Sequence, residues 1–83
     1  MKRILFVCHG NICRSPMAEF IMRELLRQHG LEASYDVASA ATSTEEIGHP
    51  VYPLAQQELR KHGIDASGKR ARQLIQSDYA AYD

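Results

Sequence analysis

Apolar and polar positions alternate in blocks along the chain, and each block carries a recognisable period. Ile4-Leu5-Phe6-Val7 is an unbroken apolar run that stops at a Gly/Asn loop. It predicts a strand buried on both faces, as in a parallel sheet. Beyond the loop, Met17, Ile21 and Leu25 recur every four residues with Phe20 beside them, an amphipathic helical stripe. Pro16 suits the first position of that helix, with Ser15 as its cap. Glu19 suits the positive end of its dipole, and Gly30 closes it. Tyr35 to Ala41 reads as a second strand, followed by the loop Thr42–Pro50. A second helix starts near Pro53, turns Leu54, Ala55 and Leu59 inward, and stops at Gly63. Residues 65–76 read as irregular, and Ser77-Asp78-Tyr79 caps one further helical turn. Strand, helix, strand, helix is the order of an α/β layer fold with a parallel sheet.

Length and charge narrow the picture. A chain of 83 residues makes one small domain at most, and a domain of this size buries only about 60% of its unfolded surface. Ten basic residues offset ten acidic ones. That argues against a general nucleic-acid or acidic-membrane binder, which needs a basic excess. The cluster Lys69-Arg70-Ala71-Arg72 is expected to be a solvated loop. No apolar run is long enough for a membrane span or a signal-peptide core. Two cysteines do not make a disulfide framework, so a reducing cytoplasm with both thiols free is expected.

The chemistry concentrates between the first strand and the first helix, in Val7-Cys8-His9-Gly10-Asn11-Ile12-Cys13-Arg14-Ser15-Pro16. A phosphate ester needs an in-line nucleophile and donors around the three oxygens where transition-state charge spreads. A loop closing on a helix N-terminus supplies inward N–H groups and a positive dipole end. Five residues separate Cys8 from Arg14, enough to curl around one phosphate. Gly10 permits positive φ, and Asn11 tolerates the left-handed region while bracing the loop with its amide. The Arg14 fork can grip two phosphate oxygens. A thiol beside a cation at a helix N-terminus has its pKa lowered to roughly 3.5–7.5, so Cys8 is expected to be a thiolate without a separate base. The Ser15 hydroxyl can donate to it. The expected reaction passes through a cysteinyl phosphate that water hydrolyses.

Val7 to Glu19 resembles the signature of the low-molecular-weight protein tyrosine phosphatases. The likeness continues through Ser39–Thr42, Glu46-Ile47-Gly48, His62-Gly63-Ile64 and Ala71-Arg72-Gln73, in the family's order. It implies a flavodoxin-like three-layer fold and metal-free hydrolysis of phosphotyrosine, with Cys8 as nucleophile and Arg14 as phosphate clamp. His9, Gly10, Asn11, Ile12, Cys13 and Ser15 then complete the phosphate loop. The resemblance implies that Asn11, Ser15 and Ser39 form a hydrogen-bond network shaping it, that Ile12 and Glu46 line the substrate cleft, and that Cys13 can form a reversible disulfide with Cys8. A bulky apolar side chain at Ile12 suits an aromatic ring. Similar enzymes acting on phosphoarginine tend to carry threonine there.

The resemblance also marks departures. Members of the family are nearly twice as long, and their general acid is an aspartate followed by proline in the C-terminal half. The aspartates here are Asp36, Asp65, Asp78 and Asp83, and none precedes a proline. The chain therefore reads as a truncated N-terminal half: a single partial domain over residues 1–83, with about two strands and two to three helices. The expected activity is phosphotyrosine or aryl phosphate hydrolysis, impaired by the missing acid. Inorganic phosphate or sulfate should occupy the loop, and no cofactor is expected. The free edge of the first strand should recruit another copy, giving a homodimer or higher assembly. Where many relatives carry a histidine that joins the loop network, this chain has Lys69. Two alternatives stand beside the phosphatase: an arsenate reductase of the same fold, for which no further cysteine follows Cys13, and a non-catalytic phosphate-binding module.

No spacing of the two cysteines with His9, His29, His49 and His62 fits a structural zinc site. His29 and His62 each precede a glycine at an expected helix end, where a cation suits the dipole. His9 is expected at the loop rim and His49 in a loop. Tyr79 and Tyr82 are expected to be packed or exposed rather than modified.

Overall fold

A computed structural model describes residues 2–82. The elements run β1 (Lys2–Cys8), α1 (Arg14–Gln28), β2 (Tyr35–Ala41), α2 (Pro53–Lys61) and α3 (Gln76–Ala81). The two strands are parallel, in register from Lys2 opposite Tyr35 to Cys8 opposite Ala41. Their carboxyl ends therefore lie side by side, with α1 as the crossover and Cys8 at the shared upper edge.

α1 packs on both strands and on α2. Its C-terminus closes as expected: Gly30 takes a positive φ of 70°, and the Leu31 N–H reaches back to the Leu26 carbonyl at 2.8 Å. His29 and His62 are the C-cap residues of α1 and α2. The core joins Val51, Ala55, Leu59 and Ala66, with Met17, Phe20 and Ile64 packed against it. β2 contributes small buried residues, Val37, Ser39, Ala40 and Ala41. They let α1 approach closely. Past Ala66 the chain returns to the upper edge of β2, where the Ala41 N–H donates to the Arg72 carbonyl and the Leu74 N–H to the Ala41 carbonyl, each at 2.7 Å.

Several expectations are corrected here. β1 is not buried on both faces: Ile4, Leu5 and Phe6 are half-buried and Val7 is 44% exposed, because β1 has one neighbour, β2, among the described residues. The inner face of α1 runs through Ser15, Pro16, Glu19 and Leu26, while Ile21 and Leu25 are exposed. Leu54 points outward, since Ala55 and Leu59, four apart, define the buried face of α2 and Leu54 lies a hundred degrees round from Ala55. Helix α1 begins at Arg14, so Ser15 sits inside it and caps nothing. Glu19 is then in the second turn, away from the N-terminal dipole. In α3 the capping group is Asp78, whose carboxylate accepts the Ile75 N–H at 2.8 Å. Asp83 lies outside the described residues, as does any strand expected to begin there.

Candidate active site

The loop between β1 and α1 bends at Asn11, the one described non-glycine residue with positive φ, at 56°. Asparagine tolerates this region because its short amide can bond locally. Gly10 has no positive φ, contrary to expectation. Its lack of a side chain instead leaves room for Glu46, whose Cγ would lie 3.4 Å from a Cβ there. The loop is docked from outside by backbone bonds. The Thr42 N–H donates to the Cys8 carbonyl at 3.0 Å, the Ser43 N–H to the His9 carbonyl at 3.1 Å, and the Tyr52 N–H to the Ile12 carbonyl at 2.6 Å.

Inside the loop, the buried polar side chains described all have hydrogen-bond partners. Asn11 is fully buried. Its Nδ2 donates to Ser15 Oγ and to Ser39 Oγ, each at 2.8 Å, while its Oδ1 accepts the Arg72 N–H at 3.0 Å. Ser39 Oγ donates to Glu19 Oε1 at 2.5 Å. Cys8 Sγ lies 3.0 Å from Ser15 Oγ and accepts the Asn11 N–H at 3.3 Å. Burial pushes the Cys8 thiol up, but hydrogen bonds from the Ser15 hydroxyl and from the backbone at Ser15, Asn11 and Gly10 outweigh it, and the thiol sits below its ordinary value of 9.0. A sulfur of this kind carries more negative charge at neutral pH than a free cysteine, which makes it a better nucleophile. No side chain caps the N-terminus of α1 just above it, so that helix end retains donors for an anion.

Ten residues were expected at the site. Cys8, Asn11, Ser15 and Ser39 are drawn into the single network above. Gly10, Ile12 and Glu46 lie along its wall, Glu46 also paired with His49 Nδ1 at 2.5 Å. His9 points outward to Glu45 at 3.4 Å, as a rim residue would. Arg14 is exposed, and among the described residues its guanidinium has no hydrogen-bond or ion-pair partner. Cys13 is exposed and both cysteines are free thiols. Among the described residues no group of three or more His, Cys, Asp or Glu is arranged to hold a metal ion.

Glu19 and Arg72 escaped the sequence reading of the network, and Lys69 was met there only as a departure from the family's histidine. Glu19 is 3% exposed and meets both Arg23 Nη2 at 2.8 Å and Lys69 Nζ at 3.5 Å. Lys69, expected in water, has a side chain only 13% exposed and donates to the Ser39 carbonyl at 3.1 Å. Burial holds its ammonium below its ordinary value of 10.5, against the pull of Glu19. Arg72 joins through its backbone, and its guanidinium pairs with Asp78. The available signal for Glu19 was its position four residues after Ser15, which places both on one helix face.

The family model for "Low molecular weight phosphotyrosine protein phosphatase" matches residues 3–83. The mouse protein of that name is 45% identical over 82 residues, covering 99% of this chain and 51% of its own length. The crystal structure of YfkJ from Bacillus subtilis superposes with a TM-score of 0.96 at 44% identity, covering all of this chain and 52% of that one. Vibrio vulnificus Wzb in complex with benzylphosphonate gives a TM-score of 0.85 at 32% identity, covering 99% and 54% respectively. The chain spans about half the length of the curated relatives it matches. Its parallel strands and helices are the N-terminal half of their flavodoxin-like fold.

Proposed function

The chain belongs to the low molecular weight phosphotyrosine protein phosphatase family, and from that premise we propose that residues 8–15 bind a phosphate monoester and transfer its phosphoryl group to Cys8. The observation that carries the reading is the thiol itself, held between Ser15 Oγ and the Asn11 N–H under an uncapped helix end. In the first step the Cys8 thiolate attacks phosphorus, an S–P bond forms, and the P–O bond to the leaving group breaks. Arg14 swings its free fork onto two of the three equatorial oxygens, with backbone N–H groups on the third. In the second step water attacks phosphorus, a P–O bond forms and the S–P bond breaks, the proton of water passes to solvent, inorganic phosphate leaves, and the thiolate is restored with Ser15 donating to it. His9, Gly10, Ile12 and Cys13 form the rest of the loop, and Ser39 and Glu46 support it.

The substrate we assign is an aromatic phosphate, phosphotyrosine in a protein or a small aryl phosphate. Half-buried Ile12 offers an apolar contact for a ring, and the benzylphosphonate in complex with the Vibrio relative carries an aromatic ring. A phenol-like leaving group needs a proton, and the sequence contains no Asp-Pro pair to supply one in the family's manner. Turnover of phosphotyrosine by the 83-residue chain is therefore expected to fall ~10²–10⁴-fold below that of a relative with the acid. Phosphorylation of Cys8 by an aryl phosphate with an acidic phenol is retained. Intact-mass analysis after exposure to such a compound tests this. A phosphate adduct that is lost in Cys8→Ser supports the reading, and an unmodified Cys8 at saturating reagent ends it. The residues act as one partial domain, and two free thiols suit a reducing cytoplasm. Among the described residues one edge of β1 is unpaired, with Val7 exposed, and self-association through it is the expected solution state. A monomer by sedimentation across micromolar concentrations would contradict that.

A further inference from the structure

The two edges of the sheet are unequal. The upper end of β2 is taken by the returning chain, where Ala41 bridges in parallel to Gln73. β1 has β2 on one side and no strand on the other among the described residues. Apolar side chains flank that open edge on both faces. The register sorts those of β1. Ile4, Phe6 and Cys8 lie opposite Val37, Ser39 and Ala41, on the face where Ser39 meets Glu19 of α1. Leu5, half-buried, and Val7, 44% exposed, therefore belong to the other face. Helix phase sorts those of α1. Glu19 faces the sheet, Arg23 reaches the Val37 carbonyl of β2, and Phe20 joins the core with α2. The opposite flank carries Ala18, Met22 and Leu25, spaced four and three apart, and so lies on the β1 side. Leu25 is 47% exposed there.

An edge with apolar shoulders on both faces has the profile of an interior strand in a doubly wound sheet, where helices cover both sides. In the flavodoxin-like order the first strand lies between the second and the third, and ligands sit in the crevice at the strands' carboxyl ends where the order reverses. Cys8 ends β1 at that crevice, which here has a strand on the β2 side alone. A copy related by a two-fold axis pairs β1 with itself antiparallel, and so puts no carboxyl end beside Cys8. A parallel strand ends level with Cys8 and builds the missing wall. We propose that the open edge of β1 is a docking site for the second half of the low molecular weight phosphatase fold carried on a separate polypeptide: a strand parallel to β1, with helices packing on Ala18, Met22 and Leu25 on one face and on Leu5 and Val7 on the other. YfkJ supplies the template, because this chain superposes on only 52% of it. Without that partner a second copy takes the edge, and the two occupants exclude each other. The inference rests on the family assignment and not on phosphoryl transfer to Cys8.

The experiment is sedimentation velocity of the full 83-residue chain with the half of YfkJ that it does not cover, kept soluble as a fusion to maltose-binding protein. A one-to-one complex is expected at micromolar concentrations, it displaces self-association of the chain, and maltose-binding protein alone gives none. Hydrogen exchange locates the contact, since the outward amides of β1 are expected to exchange about tenfold more slowly in the complex. Val7→Lys puts an ammonium at an edge that the docked half seals from water, and Leu25→Glu puts a carboxylate on the α1 flank. Each is expected to weaken the complex about tenfold or more. Leu25 already stands half in water, so Leu25→Glu keeps the test open should Val7→Lys not fold by circular dichroism. Leu54→Glu, on α2 and 63% exposed, leaves the affinity unchanged. Separate sedimentation of the two polypeptides, a complex without added protection in β1, or parent affinity in both edge variants overturns the proposal. Self-association that the fusion fails to displace assigns the edge to a second copy and overturns it too. No phosphate ester enters these measurements, and the adduct on Cys8 is read without the partner, so each reading can fail alone.

Discussion

Removing the Asn11 side chain should cost a large share of the stability of this chain. Asn11→Ala deletes the two bonds to Ser15 and Ser39 and the one from the Arg72 N–H. Both serines keep their other partners, Cys8 and Glu19, so each lost bond there costs about 1 kcal/mol. The Arg72 N–H is left without an acceptor in a half-buried position, at about 1–2 kcal/mol. Alanine at φ 56° lacks the local bonding that lets asparagine sit there, which adds roughly 0.5–1 kcal/mol. The total is about 3.5–5 kcal/mol, against an expected stability of about 4–12 kcal/mol for a chain of 83 residues. Urea unfolding followed by far-ultraviolet circular dichroism measures it. Asn11→Gly separates the causes, because glycine loses the same bonds but adopts the positive φ freely, and it should be about 0.5–1 kcal/mol less destabilised than Asn11→Ala. A loss below about 1 kcal/mol for Asn11→Ala would show that the amide does not hold the loop together. Glycine and alanine variants of equal stability would show that φ is not a source of strain.

Further outcomes follow from the same geometry. Ser15→Ala should move the alkylation profile of Cys8 up toward the ordinary value of 9.0, slowing reaction at neutral pH about fivefold, the worth of one net hydrogen bond; an unmoved profile would leave the hydroxyl without a role. Arg14→Lys keeps the charge but not the fork, and should weaken inorganic phosphate binding about tenfold by calorimetry. Equal affinity would mean the clamp is electrostatic only. The Asp78 carboxyl is held below its ordinary value of 3.8, first by the Arg72 side chain and then by the Ile75 N–H. Since the folded value is the lower one, the stability it contributes is complete above the unfolded value and disappears as pH falls through the folded one. Unfolding midpoints should therefore drop below pH 4 in the parent and be flatter there in Asp78→Asn, and parallel curves would refute the assignment.

How much was legible in the sequence differed by the kind of information each feature needs. β2 was read with its observed bounds, because a β-branched and small-residue run between turns needs no tertiary knowledge. The loop from Cys8 to Ser15 was legible because nucleophile, turn residue, arginine and helix start are contiguous. What failed was anything set by helix phase or by distant packing. Arg14, not Pro16, opens α1, which turned Ser15 from a cap into a ligand of the sulfur. Leu54, Ile21 and Leu25 are apolar yet exposed, since composition alone does not fix which side of a helix finds a neighbour. Lys69 looked like part of a hydrated basic run, and only the return of residues 69–72 to the edge of β2 reveals its buried carboxylate partner.

The bond from Arg72 to Asn11 joins residues 61 positions apart. During synthesis, the segment bearing Cys8 leaves the ribosome long before Arg72 exists. Until then the amide lacks the Arg72 N–H donor that holds its oxygen. The final placement of the loop amide therefore waits on the docking of residues 69–74 at the edge of β2.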